Sequence, residues 1–396
     1  GDRMLRGDQR IVLLQHGGLD SLTGKTGLAM LRYRSGPVVA VIDPHHAGEN
    51  LEAITGIARD VPVVADLASA LPFKPEVAVV GLAPSGGVLP EDVRRDAMAA
   101  LEAGLSLASG LHTLLGQDPQ LRAACRPDRW IWDLRQEPEG LRVGQARAAA
   151  LACRRVLAVG TDMAVGKMSA CLELFSAARR RGVACRFVGT GQAGILIAGE
   201  GVALDAVRVD YASGAVESAV LAAGSALPPD GLVLVEGQGS LCHPASTATL
   251  PLIRGTQPTD LVLVHRADQV CIERLPQIPL PPLRELVERT EALAGLARPQ
   301  GSGASPRVRA VALNTARLSE ADARAAILEA ENQLGFTAGP RGQPVLPSRA
   351  EVHFGNLGIG WLTSGAGNKS IFDRLMPDRF GIVARKHRSQ CLFDDG

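Results

Sequence analysis

The chain has 396 residues, 46% hydrophobic and 21% charged, with a formal net charge of +1 at pH 7. That length exceeds one small core and suits two domains. The near-neutral charge and scattered arginines argue against a nucleic-acid or anionic-membrane surface, and 3% aromatics argue against a base-stacking platform.

No apolar run approaches the roughly 20 residues of a membrane helix. The N-terminal "GDRMLRGDQR" is charged and carries no apolar signal region. Seven cysteines occur without a CxxC or a Cys/His cluster. An odd count in a long chain reads as free thiols in a reducing compartment, so a cytoplasmic protein with no metal site is expected. Five lysines stand among 42 basic residues, and one of them, Lys167, lies in a glycine-rich stretch.

In chain order, "RIVLLQ", "PVVAVID", "VPVVAD" and "EVAVVGLAP" read as buried strands ending in polar or glycine turns. "PEDVRRDAMAALEAGLSLASGL" (90–111) reads as one helix by its apolar spacing. Alternating strand and helix predicts an α/β fold with a parallel sheet, and this first half is expected to be Rossmann-like. It lacks a GxGxxG after its first strand. "DSLTGKTG" (20–27) lacks the earlier glycine of a phosphate loop, so a helix start is its ordinary reading and phosphate contact the alternative.

A polar, turn-rich stretch at 135–146 reads as the linker. The expected division is 1–145, 146–340 and an irregular tail at 341–396. In the second part "RRVLAVG" is a strand and "KMSACLELFSAARRRG" a helix; "ACRFVGTG", "DGLVLVEGQG", "TDLVLVHRA" and "RVRAVALNT" are further strands. "SEADARAAILEAENQLG" is a helix opened by Ser319.

Between the first strand and helix of this part stands "VGTDMAVGKMSA" (159–170). Strand, glycines, lysine and helix coincide as in a phosphate-binding loop. Amides at a helix start attract an anion, and Lys167 adds a point charge. The spacing from Gly160 to Gly166 is one residue longer than the standard pattern. Met168 follows the lysine, where Mg²⁺-nucleotide sites hold a hydroxyl. Ser169 lies about 100° further around the helix. A cofactor whose phosphates only anchor it needs no such hydroxyl.

"LVLVEGQGSLCHP" (232–244) ends an apolar strand in Glu236 and Gly237. Strand ends carry ligands in open α/β sheets, so Glu236 is the candidate base, metal ligand or orienter. Solvated strand-end carboxylate is the bland alternative. His243 is a candidate acid/base or substrate contact, with a structural role as its alternative; Cys242 reads as inert. "FVGTGQAGILIAGEG" (187–201) reads as a glycine-rich loop with exposed backbone, and Gln192 as a substrate contact. Asp205 and Asp210 divide between helix-start and site roles.

The phosphate loop and "VEGQGS" resemble dethiobiotin synthetase locally. "LRYRSGPVVAVID", "GTDMAVGKMS", "FVGTGQAGILIAGEGVALDAVRVDY", "VEGQGSLCHP" and "ALNT", in order over residues 10–340, resemble the DgcN family, formerly a domain of unknown function. The resemblance implies an N-terminal Rossmann-like domain and a C-terminal P-loop-like, three-layer α/β/α domain with a parallel sheet. It also implies D-glutamate N-acetylation from acetyl-CoA, and leaves the tail beyond 340 uncovered. Gly160, Thr161, Asp162, Gly166, Lys167 and Ser169 then form the cofactor loop, with Glu236, Gly237 and His243 facing it. The expected protein is an acetyl-CoA-dependent N-acetyltransferase acting on a small amino acid, assembled as a homo-oligomer. An ATP- and Mg²⁺-dependent ligase or kinase and a nucleotide-binding regulator are the alternatives.

Overall fold

The computed structural model describes residues 5–334 and 359–363. It divides into two compact units. Among the described residues, the first comprises those up to Glu139 together with Gly189–Val207, and the second Gly140–Val188 and those from Arg208 onward.

In the first unit, strands β1 (Ile11–Leu14), β2 (Val38–Ile42), β3 (Val63–Val64), β4 (Val77–Val80), β5 (Ser106–Ser109) and β6 (Ile131–Asp133) alternate with helices. The helices are α1 (Lys25–Tyr33), α2 (Leu51–Thr55), α3 (Leu67–Ala70), α4 (Glu91–Glu102) and α5 (Pro119–Ala124). The sheet is parallel, in the order β3-β2-β1-β4-β5-β6. This order is the doubly wound one of dinucleotide-binding folds. Its strands lack alternation because both faces are covered: Ile11, Leu13, Val77 and Val79 enter one core and Val12, Leu14, Ala78 and Val80 the other.

The expected single helix over 90–111 is two elements. Glu91 and Asp92 favour the start of α4, and Gly104 at φ +86° closes it just beyond Glu102. The apolar residues after the glycine turn back into the sheet as β5, fully buried. An apolar helix face and an apolar strand joined by one glycine are indistinguishable by hydrophobicity alone.

The second unit holds β7 (Arg154–Gly160), α6 (Lys167–Arg180) and β8 (Cys185–Val188). The chain then passes through α7 (Gln192–Ala198) and returns as α8 (Val209–Gly224), β9 (Leu232–Val235), α9 (Thr249–Thr256) and β10 (Asp260–Arg266). A small antiparallel hairpin, β11 (Cys271–Ile272) and β12 (Leu275–Pro279), precedes α10 (Leu283–Leu296), β13 (Arg307–Asn314), α11 (Glu320–Leu334) and β14 (Ile359–Thr363). The main sheet runs β14-β13-β10-β7-β9-β8 and is parallel apart from β14. Each fully buried Leu or Val of β9 contributes about 1.5–3 kcal/mol.

The amino end of this sheet is stapled by charge. Asp260, fully buried, accepts from Arg154 at 2.7 and 2.9 Å, from Arg309 at 3.2 Å and from the Thr259 hydroxyl at 2.7 Å. A buried carboxylate is tolerated there because its oxygens are satisfied. The opposite, carboxyl end is left for loops.

Two expectations are corrected. Residues 192–198 form α7 rather than exposed loop, because Ile195 and Leu196 sit in the first unit's core beside Leu28 and Leu31 of α1. Within the expected irregular tail, residues 359–363 are a strand paired antiparallel with β13; the rest of 341–396 lies outside the described residues.

Candidate active site

Parallel strands β9, β7 and β10 lie side by side, so their carboxyl ends deliver three loops to one place. The loop after β7 carries Thr161 to Gly166 and leads into α6 at Lys167. Gly166 adopts φ +99° and Ala164 φ +56°. The left-handed backbone at Ala164 costs about 1–2 kcal/mol for a residue with a Cβ. Left-handed residues in a loop before a helix are the geometry from which backbone amides make anion-binding concavities.

The loop's carbonyls are held by side chains. Ser240 Oγ donates to the Thr161 carbonyl at 3.0 Å, and Lys167 Nζ to that of Asp162 at 3.2 Å. Arg266 donates to Ala164 at 2.8 Å and Asn314 Nδ2 to Val165 at 3.1 Å. The first bond of α6 runs from the Ala170 N–H to the Gly166 carbonyl at 3.0 Å. The amides before it form the open, positive end of the helix.

Lys167 is 1% exposed. Its side chain lies across two glycines: a Cβ on Gly160 would stand 2.9 Å from Nζ, and one on Gly237 3.2 Å from Cδ. A Cβ on Gly237 would also meet the Ala158 carbonyl at 2.0 Å. Both positions therefore admit only glycine without backbone movement. Met168 and Ser169 are buried in the first turn of α6.

Asp162 is committed to loop structure. One oxygen accepts from the Met163 N–H at 2.7 Å, the other from Gln269 at 2.6 Å and the Glu273 N–H at 2.8 Å. Thr161 Oγ1 stands 2.8 Å from His265 Nδ1. Burial lowers the His265 pKa to about 4, against the opposing pull of Asp268, so the ring is neutral at pH 7.

Glu236 ends β9, 2% exposed, with its N–H on the Val188 carbonyl at 3.0 Å. Cys171, one turn beyond Lys167, donates its thiol to the Val235 carbonyl at 3.5 Å. Burial first, and then the Glu236 charge, push that thiol well above its ordinary value, so it stays protonated. Burial likewise raises Cys242, with Asp162 adding to it, as expected of an inert thiol. All six cysteines among the described residues are free.

His243 is partly exposed on the loop after β9. Its Nδ1 accepts the Ala245 N–H at 3.1 Å. The neutral ring then carries its proton on Nε2, which makes that nitrogen a hydrogen-bond donor. Ser240 organises this loop: Oγ accepts the N–H of Cys242 at 3.0 Å and of His243 at 3.2 Å.

Gly160, Thr161, Asp162, Gly166, Lys167, Ser169, Glu236, Gly237 and His243 thus all stand on the carboxyl-end loops and strand ends of the second unit. Gln192 belongs to the first, where its side chain packs on Gly110. Asp205 pairs with Arg135, and Asp210 lies in the first turn of α8. Ser240, His265, Arg266 and Asn314 were not singled out by sequence reasoning. The available signal was position, since each ends or closely follows an apolar strand. Among the described residues no group of three or more His, Cys, Asp or Glu side chains is placed to hold a metal ion. No helix among them is long and apolar enough to cross a membrane.

Residues 142–341 match the family described as domain of unknown function DUF1611, C-terminal P-loop domain, and residues 44–137 its N-terminal Rossmann-like domain. The chain belongs to the DUF1611 family. A crystal structure of a DUF1611 family protein from Anabaena variabilis ATCC 29413 is 50% identical, with TM-score 0.72, covering 83% of this chain and 94% of that one. A D-glutamate N-acetyltransferase of Tritonibacter scottomollicae is 33% identical over 81% of this chain and 90% of its own length. Another from Pseudoalteromonas is 35% identical over 56% of this chain and 65% of its own. With these relatives, the DUF1611 chain is an enzyme of the transferase class, N-acetyltransferase in type.

Proposed function

We propose that the chain moves the acetyl group of acetyl-CoA onto the amine of a small amino acid, D-glutamate foremost. The observation that carries this reading is an anion cradle with Lys167 in it and Met168 where a Mg²⁺-binding hydroxyl would stand. Such a cradle suits phosphates that anchor a cofactor and do not react. The names of the two acetyltransferase relatives supply the chemistry.

The amides preceding Ala170 and the Lys167 ammonium hold the cofactor's phosphates. The bound thioester supplies an activated acetyl group. Glu236 takes a proton from the substrate ammonium, which frees the lone pair for attack. The N–C bond forms as the C–S bond breaks, and the second proton lost by the nitrogen leaves on the departing thiol. His243 Nε2–H donates to the negative charge that develops, at the acetyl oxygen or the departing sulfur.

The test is free-thiol release from acetyl-CoA with D-glutamate, L-glutamate and no acceptor. Release that requires D-glutamate and is lost in Lys167→Ala supports the reading. Release with neither acceptor overturns it.

One observation favours the second reading, a Mg-ATP ligase of dethiobiotin-synthetase type. Strand β9 adjoins β7, so Glu236 stands where nucleotide hydrolases keep their strand-end acidic Mg²⁺ ligand. Phosphate release from Mg-ATP, assayed beside thiol release, decides between the two.

A further inference from the structure

We propose that Ser240 is a positioning residue that sets the direction of the His243 imidazole from the backbone of the phosphate loop. The inference deepens the acetyl-transfer reading and rests on it for its kinetic arm.

Ser240 is 2% exposed, on the loop between β9 and α9. A hydroxyl has one proton to give and two lone pairs to offer. All three are used: the proton goes to the Thr161 carbonyl at 3.0 Å, and the lone pairs take the N–H of Cys242 at 3.0 Å and of His243 at 3.2 Å. Its own N–H is fixed by the Ser246 hydroxyl at 2.8 Å. The His243 backbone is thereby pinned at its N–H by Ser240 and at its carbonyl by the Ser246 N–H at 3.1 Å. The Ala245 N–H then pins the ring at Nδ1. The imidazole is left with little freedom except through the loop as a whole.

The far end of the tether is equally fixed. Thr161 has its N–H on the Val264 carbonyl at 3.0 Å, its hydroxyl on His265 and its carbonyl on Ser240. One residue thus joins the ends of β7 and β10 to the loop after β9. A shift of the phosphate loop on cofactor binding reaches His243 through a single hydroxyl. Alanine at 240 keeps the volume nearly unchanged, removes the tether and leaves two amides without their acceptor.

The test has two arms. In the first, the full chain is labelled at its eight histidines and the His243 ring is followed by NMR, without substrate. Ser240→Ala is expected to move the His243 ring signals, and Ser240→Thr, which restores the hydroxyl, to return them. In the second, Ser240→Ala lowers kcat about tenfold while the acetyl-CoA KM stays within about twofold. The double variant with His243→Ala is then no slower than His243→Ala alone. Unmoved His243 signals in a folded Ser240→Ala overturn the proposal, as does full additivity in the double variant. Absence of thiol release in the wild type would sink the acetyl-transfer reading while leaving the NMR arm to decide on the tether.

Discussion

The ammonium of Lys167 is turned back onto the carbonyl of Asp162, 3.2 Å away, within the loop it serves. The lysine is held in the groove floored by Gly160 and Gly237. On the acetyl-transfer reading an incoming phosphate would meet a side chain already in place, with little side-chain entropy left to lose. Lys167→Ala is expected to raise the acetyl-CoA KM by about tenfold or more, as loss of a charged hydrogen bond does. Lys167→Arg should not rescue it, because a planar guanidinium does not fit between two Cα-bare surfaces. Calorimetric titration with CoA checks both.

Glu236→Gln keeps shape and removes basicity. Its expected effect is a fall in kcat of about 10²-fold or more, with cofactor affinity little changed. Steady-state kinetics with both substrates varied will measure it. Unchanged turnover would remove Glu236 from proton transfer.

Met168 bears on cofactor choice. Met168→Thr places a hydroxyl after the lysine and so completes the Mg²⁺-nucleotide sequence pattern. The variant is expected to tighten Mg-ATP binding by about tenfold relative to wild type, and only with the metal present. Binding of a fluorescent ATP analogue, with and without Mg²⁺, checks this. Equal affinities would mean the methionine is not what excludes the nucleotide.

Gly237→Ala drives a Cβ to 2.0 Å from the Ala158 carbonyl oxygen. Strands β7 and β9 must part to admit it, at a cost of about 1–3 kcal/mol. The midpoint of urea unfolding should fall accordingly, and cofactor binding with it, since Lys167 lies on the same surface.

His265 predicts a pH dependence. Its folded pKa, lowered to about 4, lies below the ordinary 6.5, so between those values the unfolded chain binds the extra proton. Stability is therefore full above pH 6.5 and is lost as the pH falls toward 4. The shift corresponds to at most about 3–4 kcal/mol, taking 1.36 kcal/mol per unit. Thermal melts between pH 7 and 4.5 should decline less steeply for His265→Asn than for the wild type.

Much of this was legible in residues alone. The strand, glycine turn and helix around Gly166 and Lys167 were readable from their order, and the strand before Glu236 from an apolar run that stops at a carboxylate. What stayed hidden was of two kinds. Ser240, His265 and Asn314 act through partners 79 to 149 residues away, and no local pattern encodes such a pairing. Two of the misread stretches, 106–109 and 192–198, are apolar runs beside glycines. There, tertiary burial and not local propensity chose the structure.

Helix α7 lies in the chain between two elements of the P-loop sheet, yet its Ile195 and Leu196 complete the core of the Rossmann-like unit. The two units are therefore not interchangeable modules. A gene cut at the linker would yield one product with a gap in its core and another bearing a stranded greasy helix. Recombination that shuffled either half alone would be purged, so the pair must be inherited as one piece.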